Sequence, residues 1–186
     1  MVSSQVQIEP YNVENNSLLE TRELLEVTKA LRDDADYSEE ELSPVDTPET
    51  FKHTDTLVWH TLRGEGKIDL EPLIFRSTDG QKVAIIVHLG SKLCGHKGII
   101  HGGMIASLLD EALGRTIIPN LPGGVGFTAN FSLNYRRPTF ANHFVVVRAE
   151  VSKIEGRKGF VKGQVEDHKG NVLADSEALF IAPRTE

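Results

Sequence analysis

The stretch Gly98-Ile-Ile-His-Gly-Gly-Met-Ile-Ala-Ser-Leu-Leu-Asp-Glu-Ala-Leu-Gly-Arg115 limits the fold more than any other part of the chain. From Met104 to Ile118 nearly every residue is apolar or small, with Asp110, Glu111 and Arg115 the only charges. A helix that is apolar almost all round belongs inside a protein. At about 100° per residue, Gly103, Ala106, Ser107, Asp110 and Gly114 share one face. That face is a strip of small side chains broken by one carboxylate, so another body is expected to approach it closely.

His101-Gly102-Gly103 stands where the helix should begin. A glycine pair there leaves backbone N–H groups facing whatever lies beyond, a place for a developing oxyanion. A tight turn into the helix is the plainer use of the same residues. His101 and Asp110 are nine positions apart, which on a helix means about 13 Å along the axis and roughly opposite sides. One chain cannot bring them together, so a reaction using both needs two copies of the helix side by side.

The 186 residues suffice for one ordinary domain with an extension. The net charge of −7 argues against a nucleic-acid binder working through a global basic field. Cys94 is the only cysteine, which excludes an internal disulfide and a thiolate zinc site and suits a reducing, intracellular compartment, cytoplasmic or mitochondrial. No apolar run is long enough to cross a bilayer as a helix, and the first residues do not resemble a signal peptide. The pairs His96/His101 and His53/His60 lack a third ligand at metal-site spacing, so no metal is expected.

Residues 1–16 are polar and aperiodic, a loose arm. From Ser17 to about Asp34, leucines recur at helical spacing behind a Ser17/Glu20 capping box, predicting one amphipathic helix. Asp33 to Thr50 is acidic with two prolines, a linker by composition. The expected organisation is therefore an extension over residues 1–50 and a domain over 51–186. In the domain, strands are predicted at Thr54–Leu62, Leu70–Arg76, Gln81–Leu89, Val125–Arg136, Phe144–Val151, Gly159–Glu166 and Val172–Ile181. Strict alternation in Val125–Arg136 places Phe127, Phe131, Leu133 and Tyr135 on one face and Thr128, Asn130 and Asn134 on the other. Short turns between strands imply an antiparallel sheet, and with one buried helix the fold class is α+β.

Four pieces in order resemble the acyl-CoA thioesterases of the hotdog-fold superfamily. They are His101-Gly-Gly-Met-Ile-Ala-Ser-Leu-Leu-Asp110, Phe127-Thr-Ala-Asn130, Asn134-Tyr-Arg-Arg-Pro138 and Glu155-Gly-Arg-Lys158. The resemblance implies an antiparallel sheet wrapped round a long central helix, dimerising side by side with two active sites at the interface. It implies that Asp110 attacks a thioester carbonyl or activates the water that does. Gly103, and after it Gly102, would offer backbone N–H to the oxyanion; His101 would polarise the carbonyl or hold the turn. Thr128 matches a hydroxyl that orients the water or the carboxylate, or is an ordinary strand threonine. Asn134, Tyr135, Arg136, Arg137, Pro138, Arg157 and Lys158 match coenzyme A contacts, and guanidinium groups suit its phosphates. The same cations could instead form a solubilising edge.

The expected function is hydrolysis of medium- to long-chain acyl-CoA to fatty acid and CoA, with no cofactor beyond the CoA of the substrate. The expected partners are acyl-CoA and further copies of the chain, as a homodimer or dimer of dimers, with no nucleic acid and no transmembrane segment. A non-catalytic acyl-CoA binding or regulatory module is the rival class, and a hotdog hydratase is disfavoured by the His-Gly-Gly…Asp pattern. Glu111 is expected to pair with Arg115, and Leu108, Leu109 and Phe131 to line an acyl tunnel.

Overall fold

The computed structural model describes residues 15–40 and 56–184. Helix α3 (Gly102–Ile117) is its axis, with Met104, Ile105, Leu108, Leu109, Ala112, Leu113 and Ile117 each at most 5% exposed. Pro119 follows at once, and the Asn120 amide donates to the carbonyls of Thr116 (2.9 Å) and Gly80 (3.0 Å), so a carbonyl in the last turn keeps a donor.

Around α3 curls a seven-stranded antiparallel sheet. Its strands are β1 (Tyr37–Glu40), β2 (Leu73–Ser77), β3 (Lys82–Leu89), β6 (Phe127–Tyr135), β7 (His143–Glu155), β8 (Lys158–Asp167) and β9 (Val172–Ile181). They run in the order β1-β2-β3-β7-β8-β9-β6. A separate two-stranded ribbon, β4 (Cys94–His96) with β5 (Ile99–Ile100), delivers the chain to α3. Helix and sheet touch without a gap at β8. A Cβ on Gly159 would lie 2.5 Å from Ile117 Cγ1, and one on Gly163 would lie 2.9 Å from both Leu113 Cδ2 and the Arg148 carbonyl oxygen. Leu108 and Leu109 are core residues at 1% and 0% exposure, so the expected tunnel does not run past them; Phe131 is half-buried.

The convex face of the sheet carries a second cover. Helices α1 (Asn15–Leu24) and α2 (Glu26–Asp33) set Leu18 and Leu31 against Leu73, Phe75, Ile86, Phe144 and Val146. Burial of each leucine stabilises by roughly 1.5–3 kcal/mol, enough to dock helices too short to persist alone. The single helix expected over Ser17–Asp34 is broken at Leu25, whose ψ of 132° is extended, while the Thr28 hydroxyl takes the Arg22 carbonyl at 2.8 Å. The Ser17/Glu20 capping box does not form. Helix α1 already begins at Asn15, and the Ser17 carbonyl accepts from Thr21 Oγ1 at 2.6 Å. Most of the expected loose arm, like most of the expected linker, lies outside the described residues; within the linker range, Tyr37–Glu40 is strand β1, paired with β2.

Several strand bounds shift: the strand expected at Phe144–Val151 runs on to Glu155, and the one expected at Val125–Arg136 spans Phe127–Tyr135. Of Thr54–Leu62, the first two residues lie outside the described residues, and Leu57–Thr61 forms a π-helical turn in which Leu62 N–H bonds to the Leu57 carbonyl at 2.9 Å. Trp59 anchors it by donating Nε1–H to Glu111 Oε1 at 2.5 Å, a long-range bond that outweighs local alternation. Strand β2 starts at Leu73 rather than Leu70 because Pro72 has no N–H for the ladder. Among the described residues no helix is long and apolar enough to cross a membrane.

Under the convex cover lies His88, 4% exposed, with Nδ1 3.0 Å from Asp69 Oδ2 and Nε2 without a hydrogen bond. Burial holds its pKa below the ordinary histidine value, against the opposing pull of Asp69. As pH falls through about 6.5 the unfolded chain binds a proton that folded His88 refuses, so stability falls by at most about 1.4 kcal/mol per pH unit. Urea unfolding at pH 7.5 and 5.5 should show this loss, and His88→Gln should show a smaller one. An equal loss in both proteins would assign the acid sensitivity elsewhere.

Candidate active site

The helix start is built around the His101 ring. His101 is the N-cap of α3, and its Nδ1 accepts from Gly103 N–H at 2.8 Å. An accepting Nδ1 carries no proton, so the neutral ring has its hydrogen on Nε2. Two glycines make room for the ring. A Cβ on Gly103 would stand 2.9 Å from Nδ1, and one on Gly95 2.8 Å from Cδ2. The His101 carbonyl is taken by the N–H groups of Met104 (2.9 Å) and Ile105 (3.3 Å). Gly102 N–H has no acceptor among the described residues, whereas the Gly102 carbonyl accepts from Tyr135 Oη at 2.8 Å. The expected order of the two glycines is thereby reversed: Gly103 N–H is already occupied, and Gly102 offers the open donor.

Two turns further on, half-buried Asp110 accepts from Thr128 Oγ1 at Oδ1, 2.9 Å. Strict alternation had put Thr128 on the strand face opposite Phe131 and Leu133. The structure corrects this through a β-bulge: Thr128 opposes Phe180 and Asn130 opposes Leu179, leaving Ala129 as the extra residue. The bulge turns the hydroxyl onto the helix side. No periodicity in the sequence marks it.

Gly103 is exposed and Ala106, Ser107 and Asp110 are half-buried, so this stretch of α3 is not covered by its own sheet. Gly114, expected to extend the strip, lies under Phe180, whose ring would stand 3.4 Å from an added Cβ. Strand β6 borders the strip, pairs only with β9, and exposes Phe127 and Tyr135 at 65% and 57%. Glu111 sits 3.9 Å from Arg115, but its shorter contact is to Trp59. Arg115 is itself buried, and desolvation holds its pKa below the usual guanidinium value while Glu111 opposes the shift.

The cations expected to meet coenzyme A are scattered. Asn134 Nδ2 donates to Asp175 at 3.0 Å and Arg136 pairs with the same carboxylate, which holds the Asp175 pKa below its ordinary value. Arg157 Nη1 donates to the Ala182 carbonyl at 2.7 Å. Arg157 and Lys158 lie at the tip of the β7–β8 hairpin, where Lys158 and Phe127 share Ile181 as a neighbour, at the end of β6 remote from Arg136. The nine residues of β6 separate the two groups by about 30 Å. Arg137 and Pro138, by contrast, line a cleft of about 500 Å³ with Phe140, His143, His168 and Lys169. Neither Arg137 nor Lys169 has an ion-pair partner among the described residues. No cluster of three His, Cys, Asp or Glu side chains suited to a metal occurs among them either.

Residues 97–174 match the thioesterase superfamily profile. The chain is 32% identical over 118 residues to the acyl-coenzyme A thioesterase THEM4 of Bos taurus, covering 63% of this chain and 48% of that protein. It is likewise 32% identical over 129 residues to the uncharacterized mitochondrial membrane protein FMP10 of Saccharomyces cerevisiae, covering 67% and 52%. The crystal structure of a thioesterase superfamily protein superimposes with a TM-score of 0.55 at 31% identity, over 60% of this chain and 53% of that one. The chain spans 39–66% of the length of the curated relatives it matches. A chain that curls an antiparallel sheet round a His-Gly-Gly helix has the hotdog fold, and its residues 97–174, from the helix start into the last strand, match the thioesterase superfamily.

Proposed function

We propose that this protein hydrolyses fatty acyl-CoA thioesters to free acid and CoA at a site completed by two copies of the chain. The observation that carries this reading is the Asp110–Thr128 hydrogen bond of 2.9 Å on a helix strip left uncovered. A carboxylate and a hydroxyl set together beside open small residues can hold and activate one water. The helix start with its open N–H lies eight residues away on the same helix, about 12 Å along the axis. A second copy set antiparallel against the strip and the free edge of β6 would bring its own helix start to Asp110. The likeness to the bovine acyl-coenzyme A thioesterase THEM4 supports acyl-CoA as the substrate class.

In this reading Asp110 takes a proton from water, and the hydroxide attacks the thioester carbonyl carbon. Gly102 N–H and His101 Nε2–H of the second copy stabilise the oxyanion. The C–S bond then breaks as Asp110 returns the proton to the departing sulfur, leaving a carboxylic acid and CoA thiol. Direct attack by Asp110, giving a mixed anhydride that water opens, balances equally. The nucleotide of CoA belongs in the cleft of Arg137 and Pro138, whose guanidinium is free to meet a phosphate. Arg137→Ala should accordingly raise KM for acyl-CoA roughly ten-fold with kcat nearly kept, and steady-state kinetics would refute the assignment if KM stayed put.

The deciding experiment mixes the protein with palmitoyl-CoA and a thiol-reactive dye. Thiol release with saturation kinetics supports hydrolysis. Saturable binding without released thiol would instead make it an acyl-CoA binding module.

A further inference from the structure

Tyr135 matches a coenzyme A contact by resemblance, yet its hydroxyl is bonded inward, at 2.8 Å, to the Gly102 carbonyl. The approach is close: a Cβ on Gly102 would stand 3.1 Å from Tyr135 Oη and 3.2 Å from Cζ. The peptide unit from Gly102 to Gly103 is therefore held at both ends: its carbonyl accepts from Tyr135, and its N–H donates to His101 Nδ1 at 2.8 Å. Drawing electron density to a peptide oxygen strengthens the same peptide's N–H as a donor. A stronger donor at Nδ1 fixes the proton of the neutral ring on Nε2. The chain of groups thus runs from tyrosine hydroxyl through one peptide to the imidazole face that stays free.

The sequence places Tyr135 for this. It is the last residue of β6 and, past the bulge, shares the pleat of Phe131 and Leu133, which pack on the core beneath the helix. Thr128 reaches α3 at Asp110 near one end of the strand, and Tyr135 reaches it at Gly102 at the other.

We infer that Tyr135 is a positioning residue: through the Gly102–Gly103 peptide it locks His101 in the Nε2–H tautomer that can donate to a substrate carbonyl oxygen. The inference rests on the hydrolytic reading for its kinetic consequence, but not for its tautomeric one. Tyr135 is 57% exposed, so Tyr135→Phe removes one hydroxyl without opening a core cavity.

Two readouts test it. In long-range proton–nitrogen spectra of the imidazoles, with the His101 signals identified by their loss in His101→Asn, the parent should show His101 protonated on Nε2 alone. Tyr135→Phe should show a mixture of tautomers. In acyl-CoA hydrolysis the same variant should lose about five- to ten-fold in kcat, as for one neutral hydrogen bond, with KM changed less than about two-fold. A raised KM at unchanged kcat would make Tyr135 a substrate contact and overturn the inference, as would an unchanged His101 spectrum even with a slower enzyme. Should the parent release no thiol from any acyl-CoA, the hydrolytic reading fails, and the imidazole spectrum still decides the role of Tyr135.

Discussion

Asp110→Asn should reduce acyl-CoA hydrolysis by about 10²–10⁴-fold, the usual worth of a positioned general base, while leaving the fold and assembly intact. The amide keeps the shape of the carboxylate, and its oxygen can still accept from Thr128 Oγ1, so the hydrogen bond at 2.9 Å need not be lost. What disappears is the capacity to take a proton from water or to attack carbon. Because Asp110 is half-buried on a strip its own sheet leaves open, the substitution creates no core cavity. Thermal unfolding and size-exclusion profiles should match the parent. Parental hydrolysis in this variant would remove Asp110 from the reaction altogether.

Mixing two inactive variants should restore activity, and this is the second large effect. Asn is a good N-cap, so His101→Asn can keep the helix start while removing the imidazole. Co-expressed in equal amounts, Asp110→Asn and His101→Asn chains should assort so that about half the dimers are mixed. Each mixed dimer holds one site with both Asp110 and His101 and one site with neither. Total activity should then return to about a quarter of the parental value, far above either variant alone. The physical reason is the length of α3: Asp110 and His101 sit nine residues apart on one unbroken helix, about 13 Å along its axis. A site contained in one chain would give no recovery, so titrating the two chains separates the arrangements directly.

Most of what the sequence offered was local in origin. The central helix and β9 stand at the expected bounds or within a residue or two, because a run of leucines behind a glycine pair, or a strand between turn residues, is specified by its own neighbours. Where expectation missed, a distant partner intervened. Trp59 reaches Glu111 across the fold and winds Leu57–Thr61 into a π-helical turn. Leu18 and Leu31 both need the convex face of the sheet, and the break at Leu25 lets them reach it.

The candidate site divides in the same way. His101, Gly102, Gly103 and Asp110 were legible as a pattern because they lie within ten positions on one helix. Which glycine N–H stays open was decided by where the His101 ring lies, and the meeting of Thr128 with Asp110 by a single extra residue at Ala129. Arg136 is spent on Asp175 and Arg137 is left at a cleft, a distinction between adjacent arginines made by the strand pleat and the register against β9. The sequence alone thus determined the helix and the antiparallel α+β class, since these follow from composition and period over short distances. Only the tertiary structure decided register, bulge and hydrogen-bond partner, since a one-residue slip between strands far apart in the chain leaves the local pattern of each unchanged.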